Sequence, residues 1–139
     1  MIILDTNVIS EIMRPAPDEA VLVWLRGWAI NELATTAINI AEIKYRLARL
    51  EPGKRRRELE SKFVSFVSLG FGHRILDFDA AAAEAYGDLV VARECAGRPL
   101  EGFDGLIAAV AKATGLAIAT RNRNDFEGCG VAVVNPWEG

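Results

Sequence analysis

Short apolar runs separated by long amphipathic stretches limit what this chain can fold into. Met1-Ile2-Ile3-Leu4 shows no apolar–polar alternation, so it reads as a strand buried on both faces. Leu33–Thr36, Arg74–Phe78, Leu116–Thr120 and Val131–Val134 are further short strand candidates. Between them lie stretches whose apolar residues recur at helical spacing. Strands that alternate with helices predict a parallel α/β sheet with helices on both faces. The intervening stretches are long enough for right-handed crossovers.

The helices have sequence-level boundaries. Thr6 is expected to cap a short helix through Met13, stopped by Arg14-Pro15-Ala16-Pro17. Asp18 is expected to cap the next, with Val21, Leu22, Leu25 and Trp28 on one stripe. A helix from Ile38 to Leu50 carries Ile40, Ile43 and Leu47, and Pro52-Gly53 ends it. The basic run Lys54–Arg57 opens another helix, with Leu59, Phe63, Phe66 and Val67 along it. An alanine-rich helix is expected from about Asp79 to Cys95. After the Gly97-Arg98-Pro99 break, a further helix bears Phe103, Leu106, Ile107 and Val110. No repeat, low-complexity tract or linker interrupts the chain, and 139 residues predict one domain, 1–139.

Composition removes several chemistries. With 51% hydrophobic and 25% charged residues, the chain is of ordinary globular type and not a disordered one. No apolar stretch approaches the ~18 residues of a membrane span. Met1–Leu4 lacks the basic segment of a signal peptide. Cys95 and Cys129 have no CxxC spacing and fit a reducing cytoplasm. A single histidine, His73, excludes paired-His zinc chemistry; it is expected at a loop or strand edge, without a catalytic role. There is no GxSxG, no GxxxxGK[ST] and no complete GxGxxG. Carboxylates are left to carry any catalysis.

In open α/β sheets, ligands bind at the carboxyl ends of strands. Asp5 directly follows the first strand, where an unpartnered acid risks desolvation. Thr120 ends the fourth strand, and Arg121-Asn122-Arg123-Asn124-Asp125 continues from the same edge. Taken singly, Glu42 reads as a solvated partner of Arg46, Asp104 as a first-turn helix residue, and Asp125 as a turn former.

Taken together, Asp5-Thr6-Asn7-Val8, Ala41-Glu42, Asp104 ahead of Leu106-Ile107-Ala108-Ala109, and Thr120-Arg121-Asn122 with Asp125-Phe126 form an ordered pattern. Over essentially all 139 residues, including Val134-Asn135-Pro136-Trp137, the chain resembles PIN-domain ribonucleases of the VapC/FitB type. These are the toxins of type II toxin–antitoxin pairs. The resemblance implies a three-layer α/β/α sandwich around a short parallel sheet. It also implies an acidic Mg²⁺ (or Mn²⁺) site made of Asp5, Glu42, Asp104 and Asp125. Some relatives place an acid where Asn122 stands, so Asn122 and Asp125 are alternative fourth ligands. Thr6 and Thr120 match hydroxyl positions beside the acids and are expected to orient a ligand or water. The resemblance further implies a cytoplasmic homodimer, an RNA substrate, a cognate antitoxin, and DNA contact only through that antitoxin.

The acids themselves favour a cation. Two carboxylates ~4 Å apart repel by about 4 kcal/mol at an effective dielectric of 20. Oxygen-only donors suit a hard divalent ion rather than zinc. The expected activity is therefore metal-dependent hydrolysis of RNA phosphodiesters. Net charge is −3, so RNA contact must come from local basic groups. Candidates are Arg46 and Arg49, the Lys54–Arg57 run, and above all Arg121 and Arg123. Trp24 and Trp28, four apart on one helix, are either core or part of an antitoxin groove.

Three other readings are distinguishable. A haloacid-dehalogenase-type phosphatase needs a second Asp where Asn7 stands. A phosphoacceptor receiver needs paired acids after strand one and a lysine where Thr120-Arg121 occurs. The non-enzyme alternative is a catalytically weak PIN-fold partner of a DNA-binding antitoxin, acting as an autoregulatory module.

Overall fold

A computed structural model describes residues 1–71 and 74–139; His73 and its expected loop or strand-edge position lie outside the described residues. Five parallel strands form one sheet, β1 (Ile2–Leu4), β2 (Leu33–Thr36), β3 (Ile75–Leu76), β4 (Ala117–Ala119) and β5 (Val133–Val134). Their spatial order is β3-β2-β1-β4-β5. Among the described residues six α-helices connect them: α1 (Thr6–Ile12), α2 (Glu19–Arg26), α3 (Ala37–Ala48), α4 (Lys54–Gly70), α5 (Ala80–Cys95) and α6 (Gly102–Thr114).

The missing alternation in β1 has a direct cause. Ile3 faces one apolar cluster, built with Leu89 of α5, Ile107 and Val110 of α6, and Ile118 of β4. Ile2 and Leu4 face a second, with Val8 and Ile9 of α1, Ile43 of α3 and Phe63 of α4. Both faces of the strand are covered, so both sets of side chains are apolar. The result is the three-layer α/β/α sandwich. Trp24 and Trp28 pack on each other, centroids 5.6 Å apart, and against the second cluster.

Local chemistry sets the helix ends. Asp18 caps α2 by accepting from the Ala20 N–H at 2.8 Å, and Asp79 caps α5 through the Ala82 N–H at 3.0 Å. Gly115, with φ of 73°, ends α6 in the left-handed region. The cap of α1 is not Thr6. Asp5 holds that place, with extended backbone and its Oδ1 accepting from the Thr6 N–H at 2.8 Å, while Thr6 is the first helical residue. An acid can serve both as strand terminus and as cap, and it gains more from the helix dipole than a hydroxyl does.

Strands β3 and β5 keep only two residues each, less than their apolar runs suggest. Both are edge strands with one neighbour to pair with. At Gly105 in α6, an added Cβ would stand 3.2 Å from the Tyr86 ring and 3.5 Å from Val90, so the missing side chain lets α5 approach closely. That contact fixes α6, and Asp104 with it.

Candidate active site

Strand order reverses at β1, with β2 and β3 on one side and β4 and β5 on the other. Such a reversal opens a crevice at the carboxyl ends of the central strands. Asp5 follows β1 and Thr120 follows β4 at that crevice. A polar cavity of about 160 Å³ lies there, lined by Asp5, Thr6, Asn7, Glu42, Arg46, Asp104, Asn122 and Asp125. All four expected acids therefore meet in one place, together with Thr6 and Asn122. Thr120 lies just beneath, fully buried.

Asp5 is the most enclosed acid, 5% exposed. Its carboxylate is surrounded by four donors from three parts of the chain. Oδ1 accepts from the Thr6 N–H at 2.8 Å and from Asn39 Nδ2 at 2.9 Å. Oδ2 accepts from the Thr120 hydroxyl at 2.8 Å and from Asn7 Nδ2 at 3.5 Å. Burial pushes its pKa above the ordinary carboxylate value, assisted by the Glu42 charge, while the Thr120, Thr6 and Asn39 donors act against it. These donors hold the carboxylate in one orientation.

Glu42 is held from both ends. Its Oε1 accepts from the Thr6 hydroxyl at 2.5 Å, and its Oε2 from Arg46 at 3.0 Å. The i,i+4 pairing expected of a solvated helix face is present, yet the residue also lines the cavity. Asp104, in the first turn of α6, has its pKa pushed up to about 7. Burial is the main cause, followed by the charges of Asp5, Asp125, Glu42 and Glu101. Four carboxylates thus line the cavity against one cation, Arg46.

Asp125 sits in a single 3₁₀ turn, Arg123–Asp125, whose anchor lies underneath. Arg93 of α5 is 6% exposed. Its Nη1 donates to the carbonyls of Asn124 (3.3 Å), Asp125 (3.1 Å) and Glu127 (2.7 Å), and its Nε to that of Arg98 (2.5 Å). A buried guanidinium satisfied by backbone carbonyls fixes the loop rather than a ligand. It also opposes the effect of burial, which pushes the neighbouring Cys129 thiol up.

Sequence reasoning missed two amides at this site. Asn39 is fully buried; besides Asp5 it donates to the Thr6 hydroxyl at 3.1 Å, and its Oδ1 accepts from the Thr36 hydroxyl at 2.6 Å. Its signal was Thr36-x-x-Asn39, a capping box at the start of α3 that places an amide on the inward face. Asn7 also donates to the Thr120 hydroxyl at 3.0 Å, and its Oδ1 accepts from the Arg121 N–H at 3.1 Å. The Lys54–Arg57 run, in contrast, is spent partly on helix pairs, Lys54 with Glu58 and Arg56 with Glu60, and lines no part of the acidic cavity.

The donor chemistry fits a divalent cation. Every ligand atom on offer is a hard oxygen, and the surplus negative charge registers in the raised pKa of Asp104. Among the described residues, no three acidic, histidine or cysteine side chains form a ready-made ion cage. The reason is visible in the hydrogen bonds, since Asp5 and Glu42 are turned onto protein donors.

Comparison with known proteins identifies the family of this fold. The PIN domain family matches residues 2–128. The chain is 41% identical over 138 residues to the VapC ribonuclease Y4jK of Sinorhizobium fredii, covering 99% of both chains. It is 39% identical over 137 residues to toxin FitB of Neisseria gonorrhoeae, again covering 99% of both. The crystal structure of FitAcB from Neisseria gonorrhoeae superposes with a TM-score of 0.91 at 38% identity, covering all of both chains. With a family model over residues 2–128 and full-length likeness to VapC and FitB proteins, the chain belongs to the PIN-domain family and, within it, to the VapC/FitB-type toxins.

Proposed function

We propose that this protein is a Mg²⁺- or Mn²⁺-dependent endoribonuclease, the toxin of a toxin–antitoxin pair. One observation carries the reading: four carboxylates from four separate stretches of chain line a single cavity at the strand-order reversal, opposed among the described residues by Arg46 alone. A purely structural cluster would be expected to pair its charges. The VapC ribonuclease named above supports RNA as the substrate.

Asp5, Glu42 and Asp104 would hold the ion, with Asp125 or Asn122 as fourth ligand. The bound ion would supply positive charge to a phosphate in displacement and lower the pKa of an attacking water. The chain's own residues do the rest. Asn39, Thr120 and the Thr6 N–H hold Asp5 in one rotamer, so its geometry is set before substrate arrives. The Thr6 hydroxyl fixes Glu42 relative to Asp5. Arg93 fixes the backbone that presents Asp125.

A cognate antitoxin, a homodimeric state, a cytoplasmic location and indirect DNA contact belong to the same reading. The FitAcB likeness supports the antitoxin. A groove of about 360 Å³ between α1, α3 and α4, lined by Met13, Ile43, Leu47 and Leu59 with Arg46 at its edge, offers it a seat. The Trp24–Trp28 pair is not part of that groove. No helix among the described residues is long and apolar enough to cross a membrane.

The test is RNA cleavage with Mg²⁺ or Mn²⁺, repeated in EDTA. Cleavage restricted to the metal-containing reactions is expected. Cleavage undiminished by chelation would reject the mechanism.

A further inference from the structure

Beside the acidic cavity lies a second polar cavity of about 340 Å³, lined by Arg121, Asn122, Arg123, Asn124, Asp125, Asn135 and Glu138. The two are neighbours, with Asn122 and Asp125 lining both. Their charges differ. The acidic cavity sets four carboxylates against one guanidinium, whereas the second balances Arg121 and Arg123 against Asp125 and Glu138. A polyanion approaching the acids needs cations close by, and the second cavity holds two.

The polar groups here are poised for a ligand. The Arg121 guanidinium lies over the Trp137 ring, 4.9 Å from its centroid. That stacking uses the flat face and leaves the edge donors and the opposite face open. Among the described residues, no protein acceptor takes the Arg121 guanidinium N–H groups, nor the side-chain amides of Asn122 and Asn124. Asn135 accepts from the Trp137 N–H at 2.9 Å through Oδ1, and among the described residues its Nδ2 has no protein acceptor. Arg123 meets Glu138 at 3.7 Å, a long exposed pair of little worth that a phosphate can displace. The volume lies within the ~300–1,000 Å³ of small-ligand sites.

We infer that this second cavity is a nucleotide subsite, binding the single-stranded RNA residue that flanks the cleaved phosphate. Arg121 and Arg123 hold the flanking phosphates, and the Arg121 face is a stacking platform for a base. The Asn124 and Asn135 amides reach the base edge, where an amide pairs best with adenine. The subsite rests on the ribonuclease reading and adds to it where sequence preference resides.

Arg121→Ala and Arg123→Ala test it, with Arg26→Ala as a control of equal charge change; Arg26 pairs with Glu19 on α2, outside both cavities. KM for a short single-stranded RNA is expected to rise about tenfold in the two loop variants, the size of one charge-assisted contact. kcat should be little changed, and the control should match wild type. The slope of log K against log salt should flatten by ~0.7 in each loop variant, one phosphate contact on a single strand. Unchanged KM and salt slope in both would overturn the subsite.

Binding of a fluorescein-labelled single-stranded RNA in a D104N background separates this inference from the ribonuclease reading. Were the wild-type protein to leave RNA intact, the anisotropy slopes would still decide the subsite: flatter slopes in the loop variants support it, and equal slopes reject it.

Discussion

Asp104 gives the sharpest test at the scale of a single residue. Its folded pKa, about 7, stands above the ordinary 3.8, so the folded protein holds this proton after the unfolded chain has released it. Its stabilising contribution is full below pH ~4, falls as pH rises toward 7, and is flat above. Solvent screening at this half-open carboxylate reduces the loss to about 1–2 kcal/mol. Melting curves of metal-free protein from pH 4 to 8 should therefore show a larger decline for wild type than for Asp104→Asn. At pH 8 the variant should melt as high as wild type or higher, while cutting no RNA. A variant that fails to fold would make Asp104 a structural residue. Asn39 is the opposite case. Asn39→Leu removes a donor from a buried carboxylate and leaves the Thr36 hydroxyl without its acceptor, at about 1–3 kcal/mol. Its Tm should fall at neutral pH, measured by thermal denaturation. Asp5 was readable because charge after a buried strand is costly and conspicuous, whereas Glu42, Asp104 and Asp125, ordinary when taken singly, came only with the family resemblance. Asn39 was not, since an amide within a helical stripe looks like any polar helix residue until its neighbours in space are known.

At the scale of elements, the loop carrying Asp125 depends on a helix residue 32 positions earlier, Arg93. Arg93→Met keeps the apolar bulk of the side chain but strips donors from four carbonyls. Hydrogen exchange should accelerate across residues 122–129 while α3 and the central strands keep their protection. The metal concentration needed for half-maximal cleavage should rise. Uniform loss of protection would instead make Arg93 a general stability residue. Nothing in the run Val90–Cys95 announced this role, because an arginine on an alanine-rich helix ordinarily points to water. The bounds expected for α1, α3 and α5 lie within two residues of those observed, while α4 and α6 carried no expected C-terminal bound. The Pro-Gly stop after α3 and the Asp18 cap of α2 act locally, so local sequence reports them. The α1 cap was misplaced by one residue, because β1 runs into α1 without a loop and one acid ends both.

At the scale of the whole molecule, surplus charge makes folding and ion binding cooperate. Mg²⁺ at a hundred times its dissociation constant should stabilise wild type by about 2.7 kcal/mol. Asp104→Asn should gain clearly less, and differential scanning fluorimetry with and without EDTA measures both. Equal gains would place the ion elsewhere. The layered architecture was readable because strands covered on both faces need apolar residues on both. Strand order was not, because it depends on which strand pairs with β1 across the centre of the sheet.

That pairing has a consequence during synthesis. The Thr120 hydroxyl that steadies Asp5 comes from 115 residues downstream, and β4 must lie beside β1 before the two can meet. A nascent chain on the ribosome has the first acid almost from the outset but no pocket around it. Only after the polypeptide beyond β4 has left the exit tunnel do all the walls exist. Until then, the first carboxylate stands alone, with no companions to share an ion or a substrate.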